Sequence, residues 1–174
     1  PLLVEFRLKR YEDLLDLDLA AIGTDADPYT AQRRTDPLFL VCTHGKRYLC
    51  CALRGRPIAL DLERQNPGRV WECTHTGGHR FAPTGLVLPS GQSLARLTPE
   101  VALAALRATD GGRLASETFG PWHDRGRGHL EPACAVAEAH VRELTGETDQ
   151  AALVAVESGS DRVQVTHRDG RAWT

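Results

Sequence analysis

The stretch LFLVCTHG, residues 38–45, combines a strand signal with candidate binding groups. Its first five residues, Leu38–Cys42, form a short continuous apolar run, which is typical of a strand buried in the centre of a sheet. The run ends in Thr43, His44 and Gly45, so the strand brings polar side chains and a flexible backbone to its carboxyl end. Reactive or binding groups are therefore expected where this strand ends.

The elements that follow this strand predict the fold class. A loosely helical segment, a second short strand, a hairpin and a helix come next, at residues 50–62, 70–73, 86–97 and 98–107. The helix has the clearest start, with Thr98 as N-cap and Pro99 in the first helical position. This order is the thioredoxin-like one, and Pro83 lies where such folds often have a cis-proline. We therefore predict an α/β, thioredoxin-like fold.

The flanking segments complete a single predicted domain. We expect a strand at residues 3–9, a short helix within 11–21 and a loop over 119–128. A helix over residues 132–144, closed by Gly146, and a hairpin over 152–156 and 162–167 follow. The predicted domain is 1–174, with a lead-in at 1–37, a core at 38–146 and a C-terminal hairpin at 147–174.

The composition is that of an ordinary globular chain. Its 174 residues are 41% hydrophobic and 25% charged, which excludes wholesale disorder. The 21 basic and 23 acidic side chains give a net charge of −2, and aromatic residues make up 6%. Apolar runs are a few residues long, whereas a membrane span needs about 20. We therefore expect no nucleic-acid partner and no membrane partner.

The cysteines and the N-terminus indicate a reducing location. The five cysteines are an odd number, and Cys50 and Cys51 are adjacent, so a secreted disulfide framework fits poorly. The N-terminal residues contain no basic n-region and no small-residue cleavage site, although the chain starts on Pro1 rather than Met. We expect a cytoplasmic protein.

Two segments concentrate the residue types that bind soft metals. Residues 42–51 and 73–81 hold four of the five cysteines and three of the seven histidines. Thiolates and imidazoles on loops after strands suit zinc, copper or an iron–sulfur cluster. We expect at most one of Cys50 and Cys51 to face a metal. His44 is left open as either a ligand or a hydrogen-bond donor.

Three segments around these clusters resemble the sucrase/ferredoxin-like family. They are residues 40–57, 70–83 and 86–91, and the resemblance covers roughly residues 38–145. It implies a thioredoxin-like ferredoxin whose 2Fe–2S cluster is held by a Cys-x8-Cys pair followed by a His-x3-His pair. In this chain the pattern falls on Cys42, Cys51, His75 and His79.

The resemblance also implies a function. We expect a one-electron carrier rather than an enzyme, with a redox partner protein that is a reductase or an electron acceptor; a homodimer is one assembly that the sequence allows. By the same pattern Cys50, Cys73 and His44 are not ligands, and the Rieske ligand spacing is not present. Electron transfer is expected to be coupled to protonation at His75 or His79, because the outer nitrogen of a ligating imidazole gains proton affinity when the metal is reduced.

Basic residues flank the predicted ligands. The run at residues 46–56 contains four basic residues and no acidic one. Such a run is usually a solvent-exposed face of a protein. Beside a metal site, it would also favour the binding of an acidic partner. We therefore select four residues as neighbours of the ligands or contacts of a partner: His44, Lys46, Arg47 and Arg80.

Two other classes of function stay open. A zinc site, structural or catalytic, would use the same two cysteines and two histidines and would be colourless, whereas an iron–sulfur protein is red-brown. A thiol oxidoreductase on the same frame would use Cys42, Cys50 or Cys51, although the chain contains no Cys-x-x-Cys. Analysis of iron and acid-labile sulfide distinguishes these classes.

Overall fold

The computed structural model, which describes residues 2–46, 48–159 and 161–174, separates the chain into two units, Pro1–Asp36 and Pro37–Thr174. The first unit is built from short 3-10 helices at Tyr11–Asp16, Leu19–Ala21 and Thr30–Gln32. The short helix expected within residues 11–21 is thus present as two 3-10 helices.

The predicted strand at residues 3–9 is wrong. Within the described part of this segment, Val4 alone pairs as a bridge, with Arg33. A strand needs a partner of comparable length, and the chain opposite Val4 has just left the 3-10 helix Thr30–Gln32. An ion pair between Arg34 and Glu5, 2.6 Å apart, holds the two segments together instead.

A five-stranded mixed sheet lies in the second unit. Its strands are β1 (Leu38–Cys42), β2 (Val70–Cys73), β3 (Gly85–Leu88), β4 (Gln92–Leu94) and β5 (Asp124–Arg127). Their order is β2-β1-β3-β4-β5, with β2 parallel to β1 and the remaining neighbours antiparallel. The long helices are α1 (Leu49–Gln65), α2 (Pro99–Asp110) and α3 (Pro132–Thr145). The α/β prediction and the predicted order of elements from β1 to α2 are confirmed.

Three antiparallel strands form a second sheet after α3. They are β6 (Leu153–Glu157), β7 (Val163–His167) and β8 (Ala172–Trp173). The predicted C-terminal hairpin corresponds to β6 and β7, whereas β8 was not expected. Gly146 ends α3 in the left-handed conformation, φ +68°, as the sequence predicts.

The predicted loop over residues 119–128 is wrong where β5 forms. The sequence DRGR contains no β-branched or aromatic residue, so nothing in it favours a strand. The buried side chains find polar partners instead: the Gln92 amide donates to Asp124 at 3.4 Å, and Arg127 donates to Glu138 at 3.1 Å. These contacts and the pairing with β4 stabilise the strand.

The core lies between the sheet and the helices α1 and α2. Phe39, Val41 and Val87 contribute from the sheet, and Leu62 and Leu106 from the helices. Truncating a fully buried aromatic residue such as Phe39 to alanine costs about 3–5 kcal/mol. This packing fixes β1, and therefore fixes the position of the residue at its carboxyl end.

The loop before β3 contains the proline expected from the sequence. The peptide bonds Ala82–Pro83 and Leu88–Pro89 are both cis, so Pro83 has the cis bond expected of it. None of the described helices combines the length and the apolar character that a membrane-spanning segment requires.

Candidate metal centre

Parallel pairing of β1 and β2 brings the two cysteine- and histidine-rich segments together. Cys42 is the last residue of β1, and it pairs in register with Cys73, the last residue of β2. Carboxyl ends of parallel strands meet at one edge of a sheet, so His75, two residues beyond β2, lies beside Cys42. Cys51 comes from the first turn of α1, and it and Cys42 are 1% and 0% exposed.

Three donor atoms converge at this edge. The distance from the Nδ1 atom of His75 is 3.9 Å to the Cys42 sulfur and 4.0 Å to the Cys51 sulfur, and all three atoms lie within 4.8 Å of one another. Nitrogen and sulfur ligands of one tetrahedral ion are about 3.5 Å apart, given metal–ligand distances of about 2.0 and 2.3 Å. A small inward movement would therefore let the three donors share a metal.

Gly55 allows α1 to approach the end of β1. A Cβ atom on this buried residue would lie 2.3 Å from the backbone oxygen of Cys42, closer than any real contact. The absence of a side chain at Gly55 therefore lets the helix bring Cys51, one turn earlier, against Cys42. This role was not predicted from the sequence, although a glycine inside a helical pattern costs about 1 kcal/mol relative to alanine and so points to a packing role.

The surroundings of Cys42 favour its thiolate. Burial opposes ionisation of this thiol, but the backbone N–H groups of His44 and Thr76 donate hydrogen bonds to its sulfur. Together with the Cys51 thiol and the Thr84 hydroxyl, these bonds lower the pKa of Cys42 below its ordinary value. A thiolate is the form that binds a metal.

The neighbouring thiols behave in the opposite way. Burial, followed by the hydrogen bond to Cys42 and the negative charge there, raises the pKa of Cys51 to about 12. Burial and the charge of Cys42 likewise raise the pKa of Cys73 to about 11. One negative charge, on Cys42, is therefore favoured, and a metal must displace the proton of Cys51 when it binds.

His79 lies on the same loop but outside the group of three donors. Its ring stacks on Tyr48, with centroids 3.7 Å apart and planes at 9°, and its centroid is 6.3 Å from that of His75. Gly77 and Gly78 have φ angles of +91° and +64°, so no regular helix joins the two histidines. The structure thus brings together three of the four predicted ligands, and His79 as a ligand stays a prediction.

The remaining candidates surround the donors. Cys50 is half-buried and its sulfur lies 3.8 Å from the backbone oxygen of His79, and both Cys50 and Cys73 pack against Cys42 and Cys51.

The four residues predicted to neighbour the ligands or to contact a partner differ in exposure. His44 is half-buried, Lys46 and Arg80 are exposed, and Arg47 lies outside the described residues. The three-donor group contains none of these side chains, as far as the described residues go.

Comparison with known families agrees with this geometry. The model of the sucrase/ferredoxin-like family matches residues 3–119, about two thirds of the chain. The chain belongs to this family. The match begins earlier than the resemblance over residues 38–145 and ends before β5, α3 and the second sheet. The family segment therefore includes the whole candidate metal centre. No curated protein and no solved structure matches the chain.

Proposed function

We propose that the protein is a one-electron carrier, not an enzyme, and that Cys42, Cys51, His75 and His79 hold a 2Fe–2S cluster. The convergence of two buried thiols and an imidazole within 4.8 Å carries this proposal. Family membership supports it, because the matched segment contains all four residues. When bound, such a cluster supplies one reversible electron at a potential that its ligands and their hydrogen bonds adjust.

The donor set fits a soft metal group. Two thiolates bring two negative charges and two neutral imidazoles bring none, whereas four thiolates would bring four. A site of lower negative charge accepts an electron more readily, so this set favours a higher potential than an all-cysteine site. The backbone N–H groups that donate to Cys42 withdraw charge from its sulfur and act in the same direction.

The remaining residues of the site protect and orient the ligands. Burial of Cys42 and Cys51 keeps water from both sulfurs. Tyr48 packs against the rings of both histidines, with its centroid 5.3 Å from that of His75 and 3.7 Å from that of His79. All five cysteines are free thiols, and we propose a reducing, cytoplasmic location on that ground.

Analysis of the metal tests this proposal. The protein, purified without oxygen, should be red-brown and contain about two iron and two acid-labile sulfide per chain. A colourless protein with one zinc and no sulfide would contradict the proposal.

Zinc is the second candidate, because the three converging donors suit one tetrahedral ion with a fourth ligand. The same analysis therefore decides between the two metals.

Coupling of the electron to a proton at His75 or His79 is part of the proposal. The reduction potential should then fall by about 59 mV per pH unit above the pKa of the oxidised state. Voltammetry between pH 6 and 10 measures this slope. A flat potential with the metal group intact would contradict the coupling and leave simple electron transfer standing.

A further inference from the structure

Two arginine side chains lie against one aromatic ring beside the candidate metal centre. The guanidinium carbons of Arg96 and Arg125 are 4.7 and 4.5 Å from the centroid of Phe81, and Arg96 is also 4.0 Å from the centroid of Trp122. Phe81 ends the 3-10 helix that begins at the predicted ligand His79. We define the arginine–aromatic surface by five residues: Arg80, Phe81, Arg96, Trp122 and Arg125.

The backbone holds Arg96 in place. Its φ angle is +47°, a left-handed conformation that is rare for a residue with a side chain. Its backbone N–H donates to the carbonyl of Phe81 at 2.8 Å, and its guanidinium donates to the carbonyl of Trp122 at 2.9 Å. The fold therefore fixes this cation between two aromatic rings, at the cost of an uncommon backbone angle.

The positive charges of this surface are not paired with a carboxylate of any described residue. Among the residues that the structure describes, no carboxylate lies within 4.0 Å of the guanidinium groups of Arg80, Arg96 or Arg125. Asp124 precedes Arg125, but its carboxylate is buried and accepts a hydrogen bond from the backbone N–H of Gly126 at 2.8 Å. Two cations on one ring repel each other, and an anionic group bound between them would remove that repulsion.

A recess adjoins the surface. This cavity of about 270 Å³ is lined by Thr76 of the histidine loop, residues 75–79, by Ser93 of β4 and by Arg125, and also by apolar side chains that include Phe81 and Leu94. Its hydroxyl groups and the Arg125 guanidinium are suited to bind a carboxylate. An acidic side chain placed there would lie between the histidine loop and the arginines.

We propose that the arginine–aromatic surface is where the redox partner docks, and that the partner is a protein presenting acidic side chains. The partner's redox role rests on the proposed function. Arginine and tryptophan are the residues that dominate binding energy at protein interfaces, and Trp122 is 63% exposed. Complementary charge would also steer the partner toward the ligand loop, and electron transfer requires close approach.

Binding of an acidic peptide tests the surface without any electron transfer. A fluorescein-labelled hexaglutamate peptide should bind the purified protein at low ionic strength, and added salt should weaken the complex. The double variant Arg96→Gln/Arg125→Gln should bind about tenfold more weakly. The matched control removes the same charge from two exposed arginines outside the surface, Arg107→Gln/Arg162→Gln, and should retain the affinity.

Three results would overturn the proposal. Equal loss of binding in the two double variants would show that only net charge matters. Absence of binding at low salt, or tighter binding of a single-stranded oligonucleotide of equal charge that depends on the same arginines, would also contradict it. Arg125→Gln alone, on the exposed side of β5, should show a smaller loss, and it replaces the double variant if Arg96→Gln prevents folding.

The rates of electron transfer to small oxidants of opposite charge test whether electrons leave the protein at this surface, as a redox partner would require. One electron passes from the reduced protein to hexacyanoferrate(III), which becomes hexacyanoferrate(II). The Arg96→Gln/Arg125→Gln variant should slow this reaction about tenfold and leave oxidation by the cationic tris(phenanthroline)cobalt(III) unchanged or faster. Equal rates in variant and wild type for both oxidants would contradict the redox role. A colourless protein that still binds the peptide would refute the proposed function while leaving the arginine–aromatic surface in place as a docking site for acidic partners.

Discussion

Two buried clusters of polar side chains in this protein are organised in opposite ways. In the arginine–glutamate network between β5 and α3, Glu138 accepts hydrogen bonds from Arg127 at 3.1 Å and from Arg142 at 2.8 Å. Arg127 also donates to backbone carbonyls of Ser90 and Gln150. At the candidate metal centre the sulfur atoms stand 3.9 and 4.0 Å from the His75 nitrogen. The charged groups of the network pair with one another and with backbone carbonyls. The donors of the sulfur site instead lie at a spacing that suits a metal.

The arginine–glutamate network holds parts of the fold together, whereas the sulfur site has donors that suit a metal. A buried ion pair with every partner present holds elements together but offers nothing to a ligand. Soft donors kept dry and close, with one thiolate favoured, bind a metal more strongly than they bind one another. Single substitutions can perturb one cluster and leave the other unchanged.

The largest effect on stability is expected from Glu138→Ala. It leaves the guanidinium groups of Arg127 and Arg142 buried without their shared carboxylate, which should lower the free energy of unfolding by about 3–5 kcal/mol. Urea unfolding measures this change. Glu143→Ala, at an exposed position of α3, is the control and should stay within about 0.5 kcal/mol of wild type. If Glu138→Ala is as stable as the control, the network does not stabilise the fold.

Gly55→Ala should damage the sulfur site and spare the network. Alanine normally stabilises a helix by about 1 kcal/mol over glycine. Here the new Cβ would lie 2.3 Å from the oxygen of Cys42, so we expect a loss of about 1–3 kcal/mol and a lower metal content. Gly111→Ala is the matched control, because its Cβ would meet its nearest neighbour at 3.6 Å. A Gly55→Ala protein with increased stability and full metal content would contradict the role of Gly55.

The smallest expected change in stability is that of Glu147→Gln, at the edge of the arginine–glutamate network, and it depends on pH. Glu147 lies 2.8 Å from the Nε2 atom of His167, and its backbone carbonyl accepts a hydrogen bond from Arg142. Burial opposes ionisation of Glu147, but hydrogen bonds from the Asp149 backbone and from His167 lower its pKa below the ordinary 4.5.

A lowered carboxyl pKa stabilises the folded state above pH 4.5, and this contribution is lost as the pH falls through the folded-state value. Glu147→Gln should therefore be less stable than wild type by up to about 1 kcal/mol at pH 7, with the difference shrinking toward pH 3. Urea unfolding between pH 3 and 7 measures it. A difference that is constant over this range would show that Glu147 acts through packing and not through its charge.

Local sequence signals predicted the parts of the fold that depend on them. The apolar run ending at Cys42 predicted β1 and the end of the sheet where the donors lie. Thr98 accepts a hydrogen bond from the backbone N–H of Val101 at 3.3 Å, as expected of an N-cap. The strand β5 could not be predicted, because Asp124 and Arg127 are buried by partners distant in sequence. The stacking of His79 on Tyr48 likewise depends on how two loops meet.

We propose that Cys42, and not its register neighbour Cys73, holds the metal. Both thiols end adjacent parallel strands, so Cys42→Ala and Cys73→Ala form a matched pair. The measurement is the iron and acid-labile sulfide content of the two variants and the wild type, with their visible spectra. We expect Cys42→Ala to lose iron, sulfide and colour, whereas Cys73→Ala keeps all three at the wild-type level. Loss of iron from Cys73→Ala with retention in Cys42→Ala would contradict it.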